Sequence, residues 1–227
     1  MNTWVKVARF NLERPANYLL LPWIIPLSFA VGAATAGRRP PHVASGYLLS
    51  FFVYFAVQGA QTVSQSLPFG LTLGASRRSF YFGTALLGMA LALVSGLVLT
   101  ALQAIERATG GWGLSIHFFR VPYLLNGPWY ATWLTSAVVL FALFIYGMWY
   151  GILYSRWGLL GTLAFLAVQA LVVVAVVVVG SFEHWHVRSD AGASFAGLTA
   201  LGLTGVIAAL TVLLLAGGHA TIRRATA

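Results

Sequence analysis

Charged residues in this chain are confined to the gaps between apolar runs. Six windows free of Asp, Glu, Lys and Arg follow one another, at 15–37, 40–76, 79–105, 121–155, 157–182 and 191–222. About 20 mainly apolar residues in a helix cross a hydrocarbon core of roughly 30 Å, so each window holds one crossing and none comfortably holds two. A soluble domain carries about 25% charged residues; here 7% are charged and 59% hydrophobic. The expected solvent is a bilayer.

In lipid every backbone polar group needs an internal partner, which leaves helices or a closed barrel. The apolar runs are continuous and lack the alternation of barrel strands. The sequence therefore predicts an all-α membrane protein, a bundle of six transmembrane helices at about 18–36, 43–64, 80–103, 129–153, 158–180 and 194–216. The whole of 1–227 reads as a single transmembrane domain with short connections. Segment 1–15 is expected to be an amphipathic interfacial helix, with Trp4, Val5, Ala8 and Leu12 on one face, Lys6, Arg9 and Glu13 on the other, and Pro15 as its limit. A frayed basic tail that orients the first span is the alternative. Ala34-Thr35-Ala36 resembles a leader cleavage site, yet the apolar run of 19 residues before it exceeds the 7 to 15 of a signal core.

The net charge of +9 and pI near 10.5 would suggest nucleic acid in a soluble protein. Here Lys and Arg stand singly or in pairs at the ends of apolar runs, as the positive-inside rule and anionic headgroups require, so no nucleic-acid partner is expected. With both termini cytosolic, Lys6, Arg9, Arg14, Arg77, Arg78, Arg156, Arg223 and Arg224 lie inside, against Arg38, Arg39, Arg107, Arg120 and Arg188 outside. Eight against five favours that orientation. The absence of cysteine removes disulfides, thiolate metal sites and cysteine nucleophiles.

Segment 65–79, between the second and third predicted spans, has intermediate polarity and its own punctuation. Ser66 can cap a short helix, Pro68 suits its first turn and Gly74 can close it. Arg77 and Arg78 then stand where the third span enters the membrane, able to snorkel to headgroups or to meet acidic groups of another protein. As structure alone this is a turn with two positive anchors.

Leu67-Pro68-Phe69 followed by Leu73-Gly74-Ala75-Ser76-Arg77-Arg78-Ser79-Phe80-Tyr81-Phe82-Gly83-Thr84 resembles the cytosolic loop of membrane (permease) subunits of bacterial type-2 family ABC transporters. The likeness in detail covers about 20 residues, beside the six-span layout. It implies an export permease in the plasma membrane, paired with a second copy or a related permease. It also implies that Leu67, Pro68, Phe69, Leu71, Leu73, Gly74, Arg77 and Arg78 form a coupling helix seated on an ABC ATPase subunit. The chain has no G-x-x-x-x-G-K-[ST] phosphate loop. ATP would thus be bound by the partner, and this chain is expected to be a transport subunit with no enzymatic site or cofactor of its own.

Tyr47, Tyr54, Gln58, Gln61 and Gln65 recur at helical spacing on the second predicted span. Such a stripe either lines a translocation path or bonds a neighbouring helix. Small residues four apart, Gly88, Ala92 and Gly96 on the third span and Gly147, Gly151 and Ser155 on the fourth, permit close helix approach, within one chain or between two. Segment 106–128, with Trp112, Ile116, Phe118, Phe119 and Tyr123, followed by Trp129 and Tyr130, is expected on the outer leaflet as part of an aromatic belt; the sharper alternative is a lid over an exit.

Glu13, Glu106, Glu183 and Asp190, and every Lys and Arg, are expected outside the spans, which argues against a proton-coupled carrier. His42, His117, His184, His186 and His219 are expected in loops or tails, so no pair is placed for haem and no His–carboxylate cluster for an intramembrane metalloprotease. A non-transporting membrane protein, an immunity or scaffold factor of the cell envelope, is the other function class compatible with these features.

Overall fold

The computed structural model describes residues 23–24, 44–72, 76–110, 128–182 and 200–224, and these are all helical apart from short flanking turns. Four helical elements follow in order: α1, Ala44–Thr72; α2, Arg77–Ala108; α3, Trp129–Phe182; and α4, Ala200–Arg224. Two helices, Arg77–Ala108 and Trp129–Val172, are long and apolar enough to cross a membrane, and Thr204–His219 is a shorter apolar helix. The expected amino-terminal helix, most of the first predicted span, segment 111–127 and the connection before α4 lie outside the described residues.

Local chemistry accounts for the ends of α2. Ser76 caps it, accepting from the Ser79 amide at 3.1 Å, while the Phe80 amide donates to the Ser76 carbonyl at 2.9 Å. At the far end Thr109 donates to the Ile105 carbonyl, and Gly110 takes φ 62° where the chain leaves the helix. Along the helices the hydroxyls of Thr62, Thr100, Ser136, Ser155 and Thr211 each donate to a carbonyl one turn back, at 2.7 to 2.8 Å. Each is thereby satisfied inside its own helix, as an apolar surrounding demands.

α3 is broken at Gly158, whose φ of 65° and ψ of −162° belong to a region only glycine occupies comfortably. Residues 159–182 fold back on 129–157: Gln169 meets Tyr146 and Tyr150, and Phe165 packs edge-on to Tyr150 at 5.6 Å. The fourth and fifth predicted spans are thus the two arms of one hairpin.

The first arm is the centre of the bundle. Its Gly147 lies under the Ala56 carbonyl of α1, and a Cβ at Gly151 would stand 2.6 Å from the Ala60 carbonyl, so α1 runs beside it in the same direction. α2 runs oppositely, Gly96 facing Ala137 and Gly88 receiving the Phe144 ring. α4 is parallel to the first arm, with the Thr135 and Thr204 hydroxyls 2.7 Å apart near one end and Trp149 donating to the Leu214 carbonyl at 2.9 Å towards the other. Phe51, Phe55, Phe80, Leu140, Phe144, Ile145 and Met148 fill the core, and Trp23 packs on Phe51 at 4.7 Å. Gly88, Gly96, Gly147 and Gly151 are therefore contacts within one chain, whereas Ser155 is exposed and bonds only its own helix.

Successive helices alternate in direction, which gathers Arg77, Arg78, Arg156, Arg223 and Arg224 at one end of the bundle. Three expectations need correction. Ser66 does not begin a separate short helix: α1 continues through Pro68 to Thr72, because its buried face, Phe51, Phe55, Val63 and Leu67, keeps its helical spacing past Ser66. Glu106 lies within α2 and is buried, since α2 runs to Ala108, beyond the expected end at Gln103. His219 lies in α4 and not in a tail.

Candidate functional site

The site is the end of the bundle where α1 stops and α2 begins. Of the residues expected to couple, Leu67 is buried in the core. Pro68, Phe69 and Leu71 belong to the last turns of α1, and Leu73 and Gly74 lie outside the described residues. Arg77 is half-buried and Arg78 exposed, with the Arg78 guanidinium 6.0 Å from the centre of the Phe82 ring. Both arginines occupy the first turn of α2, and no acidic residue accompanies them there. The helix dipole disfavours cations at an amino terminus by about 0.3–1 kcal/mol each. Helix stability therefore does not explain their position.

Immediately behind them α2 is fastened to the body. Phe80 and Tyr81 are fully buried one turn into α2. The Tyr81 hydroxyl donates to the Leu215 carbonyl of α4 at 2.9 Å, and the Trp149 indole of α3 donates to the neighbouring Leu214 carbonyl at 2.9 Å. Gly217 and Gly218 make room for both donors: a Cβ at Gly218 would stand 2.5 Å from the Tyr81 hydroxyl and 2.8 Å from the Trp149 nitrogen. His219 completes the contact, its ring 5.2 Å from Phe82 and 6.0 Å from Tyr81. Three helices are joined within one turn of the two arginines.

Tyr81, Trp149, the Gly217-Gly218 pair and His219 are functional candidates that spacing alone misses. Their roles come from contacts between distant helices, and the one local signal is a glycine doublet in an otherwise apolar helix.

The polar stripe of α1 does not share one environment. Gln58 is buried, Tyr54 half-buried, and Gln61 and Gln65 are exposed; the Tyr47 side chain lies outside the described set. The stripe follows the margin of the buried face, so successive turns tip Gln58 inwards and Gln61 and Gln65 outwards. Among the described residues no group of three His, Cys, Asp or Glu side chains converges as a metal site.

No family model, curated protein or solved structure matches this chain.

Proposed function

We propose that this chain is the membrane-spanning permease subunit of an ATP-driven exporter, a six-span protein of the bacterial plasma membrane with both termini in the cytosol. A separate ABC ATPase subunit supplies the energy, and two permease chains form the membrane part. The residue pattern of 67–84 suggests this reading, and the observation that supports it best is the anchoring of the two helix ends that flank the α1–α2 connection. Leu67 enters the core on one side and Phe80 and Tyr81 on the other, with Tyr81 bonded to α4. A load applied to residues 68–79 would reach α1, α2 and α4 together instead of bending a loose loop.

Alternating helix direction and the five arginines at one end agree with insertion of that end into the cytosol. Arg77 and Arg78 then face either anionic headgroups or an acidic ATPase surface. The exposed Gln61 and Gln65 of α1 are polar groups available to a translocated molecule.

The test is purification in mild detergent from the native membrane, with the accompanying polypeptides identified and ATP hydrolysis measured. An ATPase subunit is expected with the parent chain and is expected to be lost from an Arg77→Glu/Arg78→Glu variant that keeps its unfolding temperature. A complex without an ATPase, or labelling of position 78 from outside intact cells, would overturn the proposal in favour of a non-transporting envelope protein.

A further inference from the structure

Tyr146 and Tyr150 in the first arm of α3 and Gln169 in the second form a polar cluster. Both phenols donate to the Gln169 amide oxygen, Tyr146 at 2.8 Å, and the phenol oxygens are 3.1 Å apart. All three side chains are half-buried. With the phenol protons directed at one oxygen, two kinds of hydrogen-bonding capacity remain. The amide keeps two N–H donors with no partner among the described residues, and the phenol oxygens keep lone pairs.

Gln169 stands eleven residues beyond Gly158, about 16 Å along the helix. The bend itself carries Arg156, stacked on the exposed Trp157 at 5.1 Å, a pair suited to a headgroup layer. That puts the amide close to the middle of a hydrocarbon core about 30 Å thick. Water and lipid carbonyls do not reach that depth, and acyl chains offer no acceptor. Around the cluster the second arm presents exposed Leu163, Leu166, Val168, Leu171 and Val172.

A patch carrying spare donors beside spare acceptors is complementary to itself. A two-fold axis brings the same patch of two subunits face to face. We infer that the second arm of α3 is the contact between two copies of this chain, each Gln169 amide donating to a phenol oxygen of the other copy. This rests on the membrane-spanning reading above and specifies where its two permease chains meet.

The absence of cysteine from the sequence allows a direct test on the full chain in liposomes. Single cysteines at Leu166→Cys and Val172→Cys flank Gln169; Leu93→Cys and Leu97→Cys on the exposed face of α2 are controls. Oxidation is expected to give a disulfide-linked dimer from a position on the second arm and not from α2. Gln169→Leu, and separately Tyr146→Phe/Tyr150→Phe, should weaken dimerisation in a lipid-dilution energy-transfer titration by roughly sevenfold, the yield of two average intramembrane hydrogen bonds. Cross-linking through α2 alone, a monomer at every dilution, or a Gln169→Leu chain that associates as tightly as the parent would overturn the inference. A cargo molecule or the first span occupying the cluster would give the last result. An ATPase subunit retained beside a dimer indifferent to Gln169 removes the interface and leaves the exporter reading; a Gln169-dependent dimer without an ATPase does the reverse.

Discussion

Tyr81, one turn into α2, donates a hydrogen bond from its hydroxyl to the Leu215 carbonyl near the end of α4, 134 residues away. Tyr81→Phe keeps the ring and removes the bond, so it should lower stability by about 1 kcal/mol. Gly218→Ala should cost more, about 1–3 kcal/mol, because its methyl would displace the hydroxyl and the Trp149 indole together. Thermal unfolding in detergent ranks the two, and equal midpoints would show that Gly218 is not confined by them.

Close approach of α1 to α3 makes a second set of glycines sensitive. Gly147→Ala and Gly151→Ala would drive a methyl into the Ala56 and Ala60 carbonyls, for an expected loss of about 1–3 kcal/mol each. Gly205 has nothing within 4 Å of its missing Cβ. Gly205→Ala should be neutral or stabilise α4 by up to about 1 kcal/mol. Chemical denaturation of the three variants side by side checks the contrast.

The reversal of α3 depends on one backbone conformation. Gly158→Ala meets no steric neighbour yet must hold φ near 65°, which should cost about 1–3 kcal/mol. Reduced energy transfer between labels at Tyr150 and Phe165 would report opening of the hairpin.

Different exposure along the α1 stripe separates packing from transport. Gln58→Leu, at a buried position, should lower stability by about 1–3 kcal/mol. Gln61→Leu and Gln65→Leu should leave the unfolding midpoint within about 0.5 kcal/mol of the parent while reducing ATP-dependent efflux from vesicles. Normal efflux in both would assign the exposed pair to the lipid-facing surface.

Helices were legible in the sequence because charge and apolar length both report on solvent. Phe80 and Trp129 fall within three residues of observed helix starts, and the expected start of the fifth span, Gly158, is the bend itself, since Ser76 supplies a strong cap and Gly158 a strong break; Leu153 stops five residues short of that bend. Two helix ends were misplaced for opposite reasons. Pro68 removes one backbone donor, a local signal, but burial of Val63 and Leu67 keeps α1 going past Ser66. Glu106 marks the end of an apolar window, yet a polar face of Gln103 and Glu106 is itself buried and α2 continues. In the candidate site Arg77 and Arg78 were readable from their position between apolar runs. Tyr81, Trp149 and His219 were not, because their meaning depends on Leu214, Leu215 and Phe82, far away in sequence. The Tyr146–Tyr150 pair has a helical spacing visible in the sequence, but its partner Gln169 becomes evident only when the hairpin closes.

Phe144 has its carbonyl beneath Gly59 of α1 and its ring in the hollow left by Gly88 of α2. One fully buried residue is thus a tooth meshed with two neighbouring rods through backbone on one flank and side chain on the other. Dense packing resists gradual deformation. Torque on the central rod therefore cannot be relieved by slippage at a single flank, and the two rods that flank it, α1 and α2, must turn with it or disengage from it together.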